Sequence, residues 1–140
     1  MVRRSDERLA GLTVVLDAGA VIGLARGDRH WRARLREVRL AGAQVVVPSV
    51  VVAETVRGKG PRDAPVDHVL ASVDHIVPLA EQVARDTGRR LAAAGRSDTI
   101  DAVVVAEAAT RGPSLIFTSD APDLRAFIEP ADDVRLVSWP

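Results

Sequence analysis

The chain contains no cysteine and few aromatic residues: two tryptophans, two phenylalanines and no tyrosine. Without cysteine it can form no disulfide, no thiolate zinc site and no cysteine nucleophile. Any bound metal must therefore be held by oxygen or imidazole groups, which favours hard cations. The scarcity of aromatic side chains also argues against nucleic-acid binding by base stacking.

Net charge and membrane segments are also lacking. Nineteen basic and nineteen acidic residues give a net charge of zero, so only local patches could attract phosphate. No apolar run approaches the roughly 20 residues of a membrane span, and the charged residues 1–10 lack the apolar core of a signal peptide. We expect a cytoplasmic protein without a membrane partner, folded as one domain over residues 1–140 with a flexible N-terminus at residues 1–10.

Five short apolar runs are predicted to be β-strands. Residues 12–16 (LTVVL) and 44–47 (QVVV) are β-branched and do not alternate between polar and apolar positions, which is typical of parallel strands covered on both faces. Weaker runs bounded by Pro, Gly or Asp complete the set: residues 75–77 (HIV), 115–118 (LIFT) and 134–137 (VRLV).

Helical patterns lie between these runs. They cover residues 20–24, 28–40, 50–57, 66–72, 81–94, 99–111 and 121–127. Strands that alternate with helices predict right-handed βαβ units, and hence a three-layer α/β domain in which helices flank a five-stranded parallel sheet. Residues 58–65 (GKGPRDAP) are predicted to form the one clear flexible loop, which could border a substrate groove.

Four acidic residues follow predicted strands or begin helices. Asp17 comes directly after the first strand, and Asp120 follows LIFT by one residue. Glu54 lies in the helix after the second strand, and Asp101 lies near the start of helix 99–111. Because the carboxyl ends of parallel strands meet at the crevice where such sheets bind ligands, we expect these side chains to converge.

Converging carboxylates need a positive partner. Two such charges about 4 Å apart repel by roughly 4 kcal/mol at an effective dielectric of about 20, and no lysine lies in these segments. Mg²⁺ or Mn²⁺ is the simplest partner. Such an ion retains water, lowers the pKa of that water and stabilises charge on a phosphoryl oxygen, which would allow phosphodiester hydrolysis.

Structural interpretations compete with this one, since an aspartate after a strand often caps a helix. Asp98 is predicted to be such a cap, and Asp123 to form a cap or a turn, so both are secondary metal candidates. By contrast, Asp17 interrupts an apolar run, Glu54 lies in PSVVVAETV, and Asp101 opens DAVVVAEAA. Charges are rarely buried in such surroundings without a function.

Four segments occur in a characteristic order: VLDAGAVIGL, VVVPSVVVAETVRG, DTIDAVVVAEAA and LIFTSDAPDL. Together they resemble the PIN-domain family, especially VapC-type toxins of bacterial toxin–antitoxin pairs, over residues 12–127. The resemblance implies a PIN-like sheet between helices and an endoribonuclease that depends on Mg²⁺ or Mn²⁺. It also implies a VapB-like antitoxin that blocks the site, and assembly as a homodimer or a heteromeric complex.

The same resemblance assigns roles to residues. The four metal-binding, catalytic acids correspond to Asp17, Glu54, Asp101 and Asp120. Thr118 occupies the place of a hydroxyl often found two residues before the fourth acid, and is a secondary candidate. The chain departs from the pattern at Gly19, where such toxins often have a larger residue. Whether Asp98 or Asp101 is the stronger ligand stays open.

Basic residues mark candidate RNA surfaces. Arg57, Lys59 and Arg62 follow the Glu54 helix closely and are the better candidates for holding phosphates. Helix 28–40 carries a stripe of four arginines, interpreted first as a solvated face. Its opposite, buried face is predicted to carry Trp31, Leu35 and Val38. Three further arginines flank the approach to Asp98 and could line a groove, although solvation is the first interpretation: Arg89, Arg90 and Arg96. The three histidines are interpreted as structural or exposed: His30, His68 and His75.

Two other functions remain open. Asp17 could be the nucleophile of an aspartyl-phosphate phosphohydrolase, but Gly19 stands where that class has a second acid, and Lys59 is the only lysine. The chain could instead be a non-catalytic regulatory module that acts through an antitoxin complex. A dinucleotide-binding oxidoreductase is disfavoured because the first βα turn, LDAGAVIG, lacks a GxGxxG phosphate cradle.

Overall fold

The computed structural model describes residues 11–139 and contains one five-stranded sheet. Its strands, in chain order, are β1 (Thr13–Leu16), β2 (Gln44–Pro48), β3 (His75–Val77), β4 (Ser114–Thr118) and β5 (Val134–Ser138). Their order across the sheet is β3-β2-β1-β4-β5, and every neighbouring pair is parallel. The segment predicted to be flexible, residues 1–10, lies outside the described residues.

Seven helices connect and cover the strands. They are α1 (Ala18–Ala25), α2 (Arg29–Leu40), α3 (Ser49–Thr55), α4 (Ala64–Ser72), α5 (Glu81–Ala94), α6 (Thr99–Thr110) and α7 (Ala121–Arg125). The chain moves from β1 outward to β3 and then returns to β4 and β5. Because parallel crossovers are right-handed, this reversal places the two sets of helices on opposite faces. α1 packs on α4, and α5 packs on α6, so the predicted three-layer α/β fold is confirmed.

The strands β1 and β2 at the centre of the sheet are apolar after their first residues, Thr13 and Gln44, because both of their faces are covered. Val14, Val15 and Leu16 of β1 are fully buried, as are Val45 to Val47 of β2. On the α1 side, Trp31 stacks on Phe117 of β4 with ring centroids 5.2 Å apart. The predicted buried face of α2 is confirmed, since Trp31, Leu35 and Val38 all lie in the core. No helix within residues 11–139 has the length and apolar character needed to span a membrane.

The loop predicted at residues 58–65 is better ordered than its composition suggests. It contains a 3-10 helix, Gly60–Arg62, and α4 already begins at Ala64. Asp63 holds the turn: its carboxylate accepts hydrogen bonds from the N–H groups of Arg57 (3.1 Å) and Lys59 (2.7 Å). These bonds lower the pKa of Asp63. The composition of residues 58–65 predicted a loop, but it did not identify Asp63 as the residue whose hydrogen bonds order that loop.

Arg90 was predicted to be solvated, and this prediction is wrong. Its side chain is only 4% exposed and forms salt bridges with Asp132 at 2.6 Å and Asp86 at 2.8 Å. It also donates a hydrogen bond to the Phe127 carbonyl at 2.9 Å. A buried cation needs such partners because removing it from water is costly. The network ties α5 to the segment between α7 and β5.

Gly23 lets α1 approach the indole of Trp31. A Cβ at this position would lie 2.5 Å from Trp31 Cδ1 and 3.0 Å from Nε1. The indole is 1% exposed and packs against Phe117, so it has little room to move away. A side chain at position 23 would therefore push the helix off the core.

Gly23→Ala tests this packing. Alanine is normally favoured over glycine inside a helix by about 1 kcal/mol, but the contact with Trp31 should outweigh that gain. We expect the free energy of unfolding, measured by denaturant titration, to fall by about 1–3 kcal/mol. The matched control is Gly88→Ala in α5, where a Cβ meets nothing within 4 Å; it should raise the free energy of unfolding by about 0.5–1 kcal/mol. Equal effects of the two substitutions would contradict the packing.

Candidate functional site

The four predicted acids line one cavity at the carboxyl edge of the sheet. Asp17 directly follows β1, Glu54 lies in α3 after β2, Asp101 lies in the first turn of α6, and Asp120 follows β4 by one residue. All four border the same cavity of about 170 Å³. The sequence argument that parallel strands bring these side chains to one crevice is therefore correct in its placement of them.

A second cavity, of about 360 Å³, adjoins the first and shares Glu54 and Asp101 with it. Ser97, Asp98 and Thr99 also line it. This second cavity adds two hydroxyl groups beside the carboxylates. Hydroxyls are suitable donors to phosphate oxygens, and they were not singled out from the sequence.

Asp17 combines a structural role with its place in the cavity. It is 7% exposed, and its Oδ1 accepts a hydrogen bond from the Ala20 N–H at 2.9 Å, so it caps α1. Burial raises the pKa of Asp17 above its ordinary value, while hydrogen bonds from the Thr118 hydroxyl and the Ala20 N–H oppose that rise. Asp17 therefore both caps α1 and lines the acid cavity.

Thr118 joins two of the acids from behind the cavity. Its hydroxyl oxygen accepts a hydrogen bond from the Asp120 N–H at 2.8 Å, and its hydroxyl group also bonds to Asp17. Thr118 is fully buried and is not among the residues that line the cavity. The structure therefore places this residue as a support for Asp17 and Asp120, and not at the cavity surface as the secondary metal candidate suggested.

Asp101 carries the strongest electrostatic sign of crowding. Partial burial, together with the negative charges of Asp120, Asp123, Asp17 and Glu54, raises the pKa of Asp101 to about 6. The negative charges of these carboxylates therefore interact with Asp101, although the side chains come from separate elements of the fold. Within residues 11–139, however, no three such side chains stand close enough to hold a metal ion as they are.

Arg96 neutralises the two secondary acids. Its guanidinium forms salt bridges with Asp98 at 2.8 Å and with Asp123 at 3.0 Å, and it lies 5.7 Å from the centroid of the Phe127 ring. Asp98 stands at the N-cap of α6, but its side chain makes no capping hydrogen bond. The sequence placed Arg96 near the approach to Asp98 but did not predict that it pairs with Asp98 and Asp123.

The pKa values of Asp120 and Asp123 shift in opposite directions, and of these two acids only Asp123 forms a salt bridge with Arg96. The Arg96 guanidinium and then a hydrogen bond with Asp120 lower the pKa of Asp123. The same hydrogen bond, followed by desolvation, raises the pKa of Asp120. Asp120 lines the acid cavity and Asp123 does not. The sequence ranked Asp123 behind Asp120 as a metal candidate, and the structure places only Asp120 at the cavity.

Gly19 is explained by its neighbour across the loops. A Cβ on Gly19 would lie 1.8 Å from Ser119 Oγ and 2.9 Å from Ser119 Cβ. The Ser119 side chain therefore fills the space that a larger residue at position 19 would take, and Ser119 lines the acid cavity in its place. This is the physical reason that the chain departs from the expected pattern here.

The basic candidates lie outside the two acid cavities. Arg57, Lys59 and Arg62 are exposed in the turn after α3, and none of the three lines either cavity. The only lysine is thus not placed beside Asp17, as aspartyl-phosphate chemistry would require. An RNA strand would have to extend beyond the acids to reach this turn.

Thirteen chains of solved structures match this fold. One belongs to the VapBC2 complex from Rickettsia felis bound to a DNA fragment from their promoter. The two chains are 14% identical and align with a TM-score of 0.71 over 91% of this chain and 99% of the other, so the likeness is one of fold. No curated protein sequence matches the chain. A family model described as PIN domain matches residues 14–126, well over half of the sequence, and the chain therefore belongs to the PIN domain family.

Proposed function

We propose that the chain is a metal-dependent endoribonuclease and the toxin of a type II toxin–antitoxin pair. The observation that carries this proposal is the single cavity lined by all four acids at the carboxyl edge of the sheet. Its lining carries no cysteine or histidine nucleophile, so hydrolysis there would rely on a water molecule. PIN domain membership supports nuclease chemistry.

The cavity residues fit a hard divalent cation. They offer only oxygen ligands, which Mg²⁺ and Mn²⁺ prefer. Arg96 is already paired with Asp98 and Asp123, so the charges of Asp17, Glu54, Asp101 and Asp120 are left without a cation of their own. A metal ion would relieve the repulsion that raises the pKa of Asp101, and we expect the carboxylates to close around it.

In the proposed reaction, Asp17, Glu54, Asp101 and Asp120 would hold the cation, which supplies a water of lowered pKa and positive charge for a phosphoryl oxygen. Asp17 is oriented by the α1 cap and by Thr118. The hydroxyl of Ser119 lines the same cavity and could donate to a phosphate oxygen. A bound cation would favour the ionised form of Asp101 and so lower its pKa from about 6.

RNA as the substrate and an antitoxin as the partner rest on the sequence resemblance, and the fold shared with a chain of the VapBC2 complex supports them. We therefore propose a VapB-like antitoxin that covers the acid cavity, a homodimeric or heteromeric assembly, and action in the cytoplasm. Arg57, Lys59 and Arg62 are proposed to hold phosphates of the strand beyond the acids. Their exposure in the turn after α3 permits this contact.

Cleavage of single-stranded RNA tests the activity. The purified chain should cut with Mn²⁺ or Mg²⁺ and not with EDTA, and Asp17→Asn or Asp101→Asn should each slow cleavage by about 100-fold or more. Asparagine at position 17 can still cap α1, so circular dichroism should show an intact fold. The matched control is Asp67→Asn, an exposed carboxyl on α4 outside both cavities, which should keep the parental rate. Parental rates in the site variants, or cleavage in EDTA, would overturn the proposal.

The raised pKa of Asp101 predicts a stability difference that does not need activity. Its pKa is about 6 in the folded chain, above the ordinary value of 3.8 for an aspartate, so the folded state binds this proton more tightly than the unfolded state. Ionising Asp101 therefore removes stability as the pH rises from about 4 to 6. Asp101→Asn has no such proton to lose.

In EDTA, the melting temperature of Asp101→Asn should exceed that of the parent above pH 6, and the difference should shrink toward pH 4. Adding Mn²⁺ should stabilise the parent more than the variant, because the variant has lost a ligand. Asp67→Asn should show no pH-dependent gain over the parent. A gain for Asp101→Asn that is the same at pH 4 and pH 7 would contradict charge crowding at the cavity.

A further inference from the structure

A third cavity, of about 380 Å³, lies directly beside the acid cavity. Gly19 and Ser119 line both of them, so the contact between these two residues forms a common wall. The third cavity lies within the size range of sites for small ligands, about 300–1,000 Å³. A polymer bound at the acids could continue over this wall into it.

One face of α1 and the turn that follows it build the third cavity. Gly19, Gly23 and Arg26 are spaced by four and three residues, so they share a helix face. Asp28 and Trp31, from the start of α2, close the opposite side. Arg26 lies seven residues beyond Gly19, or about 10 Å along the chain at the rise of a helix. The cavity therefore runs from the edge of the acids toward a cation.

Arg26 is available for a ligand. It is exposed, and among residues 11–139 it takes part in no salt bridge. By contrast, Arg96, the arginine beside the acid site, is paired with Asp98 and Asp123. Arg26 thus places an unneutralised positive charge beside a strongly negative site. A phosphodiester strand running along the cavity wall would meet this charge.

The remaining polar groups suit a nucleotide. Asp28 accepts a hydrogen bond from the Trp31 N–H at 3.0 Å through Oδ1, and its other oxygen could accept from an N–H of a base. Ser119 contributes a hydroxyl at the common wall. Trp31 is 1% exposed and already stacked on Phe117, so a base would be held by its edges and not by stacking on the indole.

We propose that this third cavity binds the nucleotide next to the scissile phosphate of single-stranded RNA, with Arg26 contacting its phosphate group. The inference rests on the proposed ribonuclease function and names a subsite of it. RNA is favoured over a protein segment because the cavity continues from the acid site and ends at a cation without a carboxylate partner. Arg26 is a substrate-binding residue in this proposal.

Binding of a fluorescently labelled single-stranded RNA 12-mer of mixed sequence, followed by anisotropy with Ca²⁺ in place of Mg²⁺, tests the subsite. Gel analysis confirms that the RNA stays intact. We expect Arg26→Gln to weaken binding by about fivefold to tenfold. Because one phosphate contact is lost, the slope of log K against log salt concentration should become shallower by about 0.7.

The matched control is Arg135→Gln, which removes the same charge from an exposed position on β5. It should change neither the slope nor the affinity by more than about twofold. Arg26→Lys should restore part of the affinity, and Arg26→Glu should weaken binding further than Arg26→Gln. Melting curves show whether each variant is folded.

The outcomes separate this inference from the function on which it rests. If the parent cleaves RNA but Arg26→Gln and Arg135→Gln bind it with the same affinity and salt slope, the proposed subsite is wrong and the proposed ribonuclease activity is not. The third cavity would then bind a protein segment or no ligand. If the parent neither binds nor cleaves RNA, both proposals fall. Weaker binding and a shallower salt slope in Arg26→Gln and Arg26→Glu, but not in Arg135→Gln, support the subsite.

Discussion

Repulsion among carboxylates at one edge of the sheet constrains the rest of this structure. Two such charges about 4 Å apart would cost roughly 4 kcal/mol at an effective dielectric of about 20. Burial and then the charges of the neighbouring acids raise the pKa of Asp101. The fold holds Asp17 there with neutral donors, the Ala20 N–H and the Thr118 hydroxyl, while the Thr118 oxygen accepts from the Asp120 backbone N–H. Neutral donors fix the Asp17 carboxylate without cancelling its charge, which leaves that charge for a ligand.

Stability comes from parts of the molecule that stand apart from these acids. The central strands are apolar on both faces, and Gly23 allows α1 to pack closely on Trp31. The Arg90 network ties α5 to the segment before β5 with salt bridges to Asp86 and Asp132. Because these interactions do not involve the acid cavity, the domain can tolerate charges there that do not stabilise it. This separation is why removing a site acid is expected to spare the fold.

Much of this arrangement could be predicted from local patterns. Runs such as VVV and the helical spacing between them gave all five strands and all seven helices to within three residues at each end, because burial imposes a period on the sequence. The rule that ligands bind beyond the carboxyl ends of parallel strands then placed Asp17, Glu54, Asp101 and Asp120 together. Each of these inferences depends only on neighbours in sequence and on the topology of the sheet.

Side chains that pair across a long stretch of sequence leave no periodic pattern, so the sequence did not predict these salt bridges. Arg90 finds Asp132 across 42 residues, and Arg96 finds Asp123 across 27. The sequence ranked Asp98 and Asp123 as secondary candidates on capping preferences alone, and it left open whether Asp98 or Asp101 is the stronger ligand. The structure distinguishes them by one guanidinium: within residues 11–139, Arg96 forms salt bridges with Asp98 and Asp123 but with neither Asp101 nor Asp120, although its charge still lowers the pKa of Asp120. An acid that already pairs with a guanidinium has less to offer a cation, so Arg96 stabilises the rim of the site and leaves four carboxylates as the proposed ligands: Asp17, Glu54, Asp101 and Asp120.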